Sequence, residues 1–389
     1  MIDDAIQKRV KRHVIGPVQS FFAVTAPGLE NSCYRELSAI PGTIGHAEII
    51  SGGVAFKGRL VDMYCTNLDL RTPTRILMRI SRFKASNFRQ LEKNIATIPW
   101  ELHISPTTEV KVNVKTIHSR LYHTSAITDR IVHAIHERLG GTSREPAVVV
   151  QQLFVRVVDD SFVISLDSSG APLYKRGLKE QVGKAPLREN LAAAALWWAG
   201  YTGREPLVDP MCGSGTFSLE AALISSRTPP GWRRDFAFIN WPAFKAPRWR
   251  HLKKERAREI SLMTAPTIFA SDKDPKACAS LASVIRQYDL ARAVSVTERD
   301  FFDFEPGQFS PKPGIVALNP PYGIRLGSSS QARKQYIEIG AKLKRDYRRW
   351  RVAVFLPERG LVTDFPAGLK QRKITHGGLN LTLLTGRIA

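Results

Sequence analysis

The sequence predicts an α/β chain, with a doubly wound, Rossmann-like parallel sheet placed C-terminal to an α+β region. Three observations carry this. From residue 186 onward, short apolar runs alternate with helical stretches, as in "PLVDP", "GTFSLEAALISS", "TIFASD" and "PKACASLASVIRQYD". Upstream the rhythm differs, and two strands, "AVVVQQLFVRVV" and "SFVISLD", follow one another directly. Between these regions, "DSSGAPLYKRG" (167–177) gathers the small and turn-forming residues of a boundary.

Taken in order, residues 1–19 begin "MIDDAIQKRVKRHVIG", lack the apolar core of a signal peptide and read as a flexible basic extension. Residues 20–66 give a strand ("QSFFAVT"), a helix ("GLENSCYRELSAI"), strands on either side of the Gly52–Gly53 turn, and the start of a helix near 60–70. Residues 67–168 continue with "RILMRISRFKA" as a strand, "FRQLEKNIATIPW" as a helix and "EVKVNVKT" as a strand. The amphipathic helix "TSAITDRIVHAIHERL" and the two strands named above complete this region. His133 and His136 lie one turn apart on that helix, but without a third ligand nearby they read as surface histidines rather than a metal pair. Residues 169–389 hold the doubly wound sheet, adding "PLRENLAAAALWWAG" (helix), "AVSVTERD" and "GIVALNPP" (strands), "SSQARKQYIEIGAKLKRDY" (helix) and "RVAVFLP" (strand).

Composition narrows the partners. The 389 residues carry 57 Lys+Arg against 35 Asp+Glu, a net charge of +22 that usually marks a polyanionic partner. Residues 1–170 hold 21 basic and 16 acidic groups, and 171–389 hold 36 and 19, so most of the positive field is expected in the C-terminal half. Cys33, Cys65, Cys212 and Cys278 show neither zinc spacing nor a disulfide framework, which fits a reducing cytoplasm and predicts no metal. The most apolar run, "LAAAALWWAGY", is too short to span a bilayer.

The chemistry concentrates at strand ends. "LVDPMCGSGTFSLEAALI" (207–224) reads as strand, glycine turn and helix, placing Asp209, Pro210, Cys212, Gly213, Ser214, Gly215 and Thr216 where such sheets bind ligands. The turn has neither the third glycine of a dinucleotide fingerprint nor a P-loop lysine. "IFASDKDP" ends the next strand with Asp272 and Lys273, the aspartate placed to accept from a ribose diol. "VTERDFF" ends another with Asp300 and Phe301, that aspartate placed to accept from an adenine amino group. A further strand runs into "NPPYG" (319–323); taken alone this is also a plain turn, because two prolines exclude helix and give no sheet donors.

In order, these motifs resemble the S-adenosylmethionine-dependent amino-methyltransferases. More closely, the chain is similar to the THUMP-domain RNA guanine-N2 methyltransferases of large-subunit (23S) ribosomal RNA, over about residue 20 to the end. "SRLYHTSAITDRI" (119–131) resembles the THUMP core, and 164–196 resembles the segment that joins it to the catalytic domain. The resemblance implies a ferredoxin-like unit at 20–66, a THUMP RNA-binding domain at 67–168 and a methyltransferase domain at 169–389. It implies that Asp209, Gly213 and Gly215 border the methionine part of the cofactor, with Asp272 at its ribose and Asp300 at its adenine. "GLK" (177–179) and "GIR" (323–325) depart from the family's usual Gly-Tyr-Arg and Gly-Glu-Arg, near substrate rather than cofactor.

On this reading the Asn319 amide oxygen and the Pro320 carbonyl, held outward by the prolines, accept the two protons of an exocyclic base amine. Asn319 also borders the cofactor, and Tyr322 offers a face on which the extruded base stacks. Residues 227–258 hold ten Lys/Arg, with Trp232, Trp241 and Trp249 interleaved. That is the composition of a single-strand RNA surface, with Arg233, Arg234, Arg248, Arg250 and Lys253 as contacts and Arg325 beside the target. The tryptophans equally suit packing of this insertion onto the protein. The expected product is N2-methylguanosine in ribosomal RNA, with transfer RNA, adenine-N6 chemistry or a non-catalytic assembly role as alternatives. A monomer without membrane contact is expected.

Overall fold

The structure, a computed structural model, describes residues 4–40, 46–140, 149–178, 187–321, 329–357, 361–376 and 378–389. Two units divide the chain. One comprises Met1–Thr25, Cys33–Leu173 and Arg234–Lys254, the other Ala26–Ser32, Tyr174–Arg233 and Glu255–Ala389.

Toward the N-terminus, α1 (Asp4–Val10) precedes β1 (Gln19–Val24), α2 (Glu30–Ala39), β2 (Ala47–Ile50), β3 (Gly53–Gly58), α3 (Leu60–Asp69) and β4 (Arg75–Lys84). Then come α4 (Phe88–Ala96), β5 (Thr108–Ile117), α5 (Thr124–Leu139), β6 (Val149–Val158) and β7 (Ser161–Asp167). The strands form one sheet in the order β2-β3-β1-β4-β7-β6-β5, with β5 and β6 the parallel pair. Period-two alternation builds it: Leu153, Val155 and Val157 of β6 and Phe162, Ile164 and Leu166 of β7 are buried, while Arg156 between them is exposed. Helix α5 supplies Ile127, Ile131 and Ile135, spaced one turn apart and all buried.

Three sequence expectations change here. The N-terminal extension is not a loose tail: α1 and a π-helical turn at Lys11–Ile15 bury Val10 and Val14, and Arg9 pairs with Glu101 at 2.9 Å. The four-residue spacing of those valines was the signal. The expected boundary at 66/67 falls inside α3, and β4 pairs with both β1 and β7, so one sheet runs through both regions. Arg234–Lys254, expected in the methyltransferase domain, groups with the first unit. Its aromatic residues explain this: Phe238 stacks on Tyr64 at 4.7 Å, and the buried Trp241 donates its indole N–H to Gln151 Oε1 at 2.7 Å.

The second sheet uses α6 (Glu189–Trp198), β8 (Leu207–Asp209), α7 (Thr216–Ser225), β9 (Ile268–Asp272), α9 (Pro275–Gln287) and β10 (Val294–Glu298); between α7 and β9 the chain also forms α8 (Ala246–Glu259), whose residues as far as Lys254 belong to the first unit. It ends with β11 (Ile315–Leu318), α10 (Ser329–Asp346), β12 (Arg351–Pro357), β13 (Lys370–His376) and β14 (Leu379–Arg387). The strand order is β10-β9-β8-β11-β12-β14-β13, parallel through β12 and closed by the antiparallel β13–β14 hairpin, which the sequence reading omitted. Apolar clusters lie on both faces, one around Leu196, Phe217 and Leu281, the other around Tyr336, Leu343 and Phe301. That is why β8 and β11 are buried at every position. Strand order reverses between β8 and β11, so the crevice of the sheet opens at their carboxyl ends.

Candidate active site

The turn after β8 is built on two left-handed glycines, Gly213 (φ 50°) and Gly215 (φ 74°). They serve different ends. A Cβ on Gly215 would come within 2.3 Å of Leu281 on α9, so this residue allows helix and turn to pack. A Cβ on Gly213 would meet nothing within 4 Å, so the backbone there lies open. Gly215 N–H donates to the Cys212 carbonyl at 2.7 Å and Cys212 N–H to the Ser271 carbonyl at 2.9 Å, which pins the turn to the end of β9.

Each strand-end acid has a definite task. Asp209 is buried, and its Oδ2 accepts from Ser218 N–H at 3.2 Å and Ser218 Oγ at 2.7 Å, so it fastens the first turn of α7. Asp272 is half-buried; Oδ2 accepts from Gly213 N–H at 2.9 Å and Oδ1 from Asp274 N–H at 3.0 Å. The carboxylate thus joins two of the predicted motifs directly. Asp300 lies two residues past β10, and its Oδ1 accepts from Phe302 N–H at 3.0 Å, capping a short 3-10 turn. Phe301, expected at the cofactor, has its ring in the core at 1 % exposure, because that turn points it toward Tyr347 and Phe304. Its neighbour Phe302 is 37 % exposed.

Pro210 and Thr216 are buried, Ser214 is half-buried and Lys273 is exposed. Thr216 Oγ1 donates to the Leu187 carbonyl at 3.3 Å. Burial, reinforced by Asp209 and Asp272, raises the Cys212 thiol far above its ordinary value, so it is held as a neutral thiol and not as a nucleophile. Behind the turn, α7 carries the buried Glu220, whose Oε1 accepts from Arg176 Nε at 2.8 Å.

Beyond β11, Asn319 is half-buried and Pro320 buried. Pro320 lies two residues past the end of β11, and its carbonyl, expected to point outward, has a partner inside the protein. The buried Tyr336 hydroxyl, on α10, donates to it at 3.3 Å and reaches the Pro321 carbonyl at 3.5 Å. A buried phenol needs such a partner, and a carbonyl has two lone pairs, so one contact still leaves acceptor capacity. Sequence reasoning missed Tyr336; an aromatic on an apolar helix stripe gave no sign of it. Tyr322 and Arg325 lie outside the described residues.

The tryptophan-rich segment divides by function. Trp249 sets its edge against Tyr64, Phe236 and Phe238 at 5.3–6.1 Å, and Trp241 is buried, so these two rings pack the protein. Arg234 donates to the carbonyls of Pro172 and Ser169 at 2.6 and 2.9 Å, and also to Ala171, which makes it a tie rather than a free surface cation. Arg233 lies 4.8 Å over the Tyr288 ring, while Lys253 is half-buried with Nζ 6.0 Å from Trp249. Arg248 and Arg250 are exposed on α8. Among the described residues, no group of three His, Cys, Asp or Glu is placed to hold a metal, and no helix is long and apolar enough to cross a membrane.

A glycine turn, a strand-end acid bonded to it and an Asn-Pro-Pro exit, all at the carboxyl ends of neighbouring parallel strands, define the class of α/β methyltransferases. Residues 176–382 match the UPF0020 family, described as "RMKL-like, methyltransferase domain", and the chain belongs to that family. Residues 20–77 match the RlmL ferredoxin-like domain and 85–167 the THUMP domain. The chain is 32 % identical over 375 residues to the Synechocystis sp. protein named "Putative RNA methyltransferase slr0064", covering 94 % of this chain and 95 % of that one. It is 34 % identical over 352 residues to the ribosomal RNA large subunit methyltransferase K/L of Methylococcus capsulatus, covering 86 % of this chain and 46 % of that protein. The chain spans about half the length of the K/L relatives it matches. Among solved structures, "SMU.472, a putative methyltransferase complexed with SAH" superposes with a TM-score of 0.85 at 25 % identity, covering 96 % of this chain and 99 % of that one.

Proposed function

We propose that the chain transfers a methyl group from S-adenosylmethionine to the exocyclic N2 amine of a guanosine in large-subunit ribosomal RNA. The observation that carries this reading is the Gly213–Asp272 hydrogen bond at the mouth of the switch point, with Asn319 and Pro320 at the end of the neighbouring strand β11. The residues fit such a cofactor: the open side of Gly213 lets a ligand lie against the backbone, and Asp272 keeps one lone pair on each oxygen beyond its two backbone bonds. When bound, S-adenosylmethionine supplies an electrophilic methyl group on a sulfonium.

The chain's own residues do the rest. Asp272 accepts from the ribose hydroxyls and Asp300 from the adenine amine, with Asp209 keeping the helix behind the turn in place. A nucleobase amine is a weak nucleophile because its lone pair is delocalised into the ring. Asn319 Oδ1 and the Pro320 carbonyl accept hydrogen bonds from its two N–H groups and favour a more tetrahedral nitrogen, which releases one of those protons to water once methylated, and Tyr336 fixes the direction of the carbonyl. Tyr322 stacks the extruded base. Catalysis is then mainly alignment of the nitrogen with the methyl group. The names of the relatives and the THUMP match support RNA as the substrate, and the free cysteines suit a reducing, cytoplasmic setting. The test is transfer of labelled methyl to purified large-subunit RNA. Wild type should label it, and Asn319→Ala should not. Equal labelling by both would sink the reading.

A further inference from the structure

The strand register of the first sheet assembles a cationic face that composition concealed. Arg82 on β4 lies opposite Val163, Val163 opposite Arg156 on β6, and Arg156 opposite Lys115 on β5. One row across four strands therefore carries three cations. A second row sets Lys57 opposite Ser20 and Ser20 opposite Arg79. Lys84, two residues past Arg82, continues the first group along β4. These side chains share one face because their neighbours Met78, Phe83, Phe162, Val155 and Val157 point to the other, where the helices and core lie.

The face is exposed at Lys57, Arg82, Lys84, Lys115 and Arg156. Among its described strand residues, the exposed carboxylates stand at the rims, Glu48 on the edge strand β2 and Glu109 on the edge strand β5, the latter 3.6 Å from Lys111. In the centre, like charges meet without an acid between them. The protonated form of Arg79 is disfavoured by burial, then by Arg82 and Arg156, while its guanidinium lies 4.7 Å over the Phe22 ring. Such an arrangement costs the isolated protein repulsion that an anionic partner removes. The rings at hand, Phe22 and Phe154, are already capped by Arg79 and Arg75, so the face offers charge rather than stacking.

We propose that this open sheet face, centred on Arg82, Arg156 and Lys115, binds the phosphodiester backbone of the RNA substrate independently of its sequence. The proposal rests on the RNA reading above and places the contact in the half of the chain with the smaller net charge. The alternative surface, the tryptophan-rich segment, spends two of its three indoles on packing and its Arg234 on three backbone carbonyls, whereas on the sheet face Arg156 gives one N–H to the Ser51 carbonyl at 3.2 Å and stays exposed.

The experiment uses the full chain and a transcribed large-subunit RNA fragment. Arg82→Gln, Lys84→Gln and Lys115→Gln are combined in one variant, and Lys254→Gln, Arg286→Gln and Arg292→Gln, all exposed, in a charge-matched control. The face variant should bind at least about tenfold more weakly and lose about two to three from the slope of log K against log salt, near 0.7–0.9 per phosphate contact. The control should change little, and both should keep the wild-type melting temperature and cofactor affinity. Acetylation footprinting of wild type needs no variant: bound RNA should shield Lys84 and Lys115 but not Lys254. Wild-type affinity and slope in the face variant, or unshielded Lys84 and Lys115, would overturn the surface while leaving the RNA reading intact. A wild-type protein that binds no RNA, yet binds acidic vesicles or an acidic peptide, would overturn both.

Discussion

At the residue scale, the two glycines of the turn separate architecture from binding. Gly215→Ala should destabilise the second unit by about 1–3 kcal/mol, because a Cβ meets Leu281 at 2.3 Å on a left-handed backbone. Adding Leu281→Ala should relieve the clash but open a cavity, so thermal unfolding of the pair will show incomplete recovery. Gly213→Ala should cost only about 1–2 kcal/mol of left-handed strain, yet weaken S-adenosylmethionine at least about tenfold in calorimetry, since its new methyl fills the open side. Retained affinity there would move the cofactor elsewhere. Tyr336→Phe asks a related question of the other half of the site. It keeps the ring packing and removes the hydroxyl that holds Pro320 and Pro321, so kcat should fall by about tenfold with cofactor affinity unchanged. An unchanged kcat would make this hydroxyl a packing detail. The glycines and strand-end aspartates were legible in the sequence because turn chemistry is local. Tyr336 was not, since its partner is brought to it by the packing of α10 on β11.

At the element scale, the parallel strands and their helices could be read because burial on both faces makes β8 and β11 continuous apolar runs. The β13–β14 hairpin escaped that reading: its first strand, Lys370–His376, carries Lys370, Arg372 and Lys373 and lies on the sheet edge, where apolar content is not required. The docking of α1 escaped because two valines among many charges look like a tail. Near it, the 3-10 turn Trp100–Leu102 leads to His103, whose imidazole burial pushes down to about 4, against the opposing pull of Glu101. The folded state therefore binds this proton less readily than the unfolded chain. The stability involved is present above pH 6.5 and is lost as pH falls toward 4. Melting temperature should drop across that window, and less so in His103→Gln; equal drops would mean that His103 does not carry the effect.

At the scale of the whole molecule, charge was the least reliable guide. The sequence places +17 of the +22 in residues 171–389, yet part of that excess is spent on internal ties such as Arg234 to three carbonyls and Arg176 to Glu220. The cationic sheet face belongs to the more neutral half and becomes visible only when register brings distant strands together. Composition measures how much charge a chain carries, not where folding leaves it free. Nucleoside mass spectrometry reads the identity of the reaction itself. Large-subunit RNA from a strain lacking this gene should be incubated with the protein and S-adenosylmethionine, then digested. One N2-methylguanosine should be gained with the wild-type protein and none with Asn319→Ala. Gain of N6-methyladenosine instead, or no methylated nucleoside in an RNA known to lack the mark, would contradict the guanosine-N2 reading.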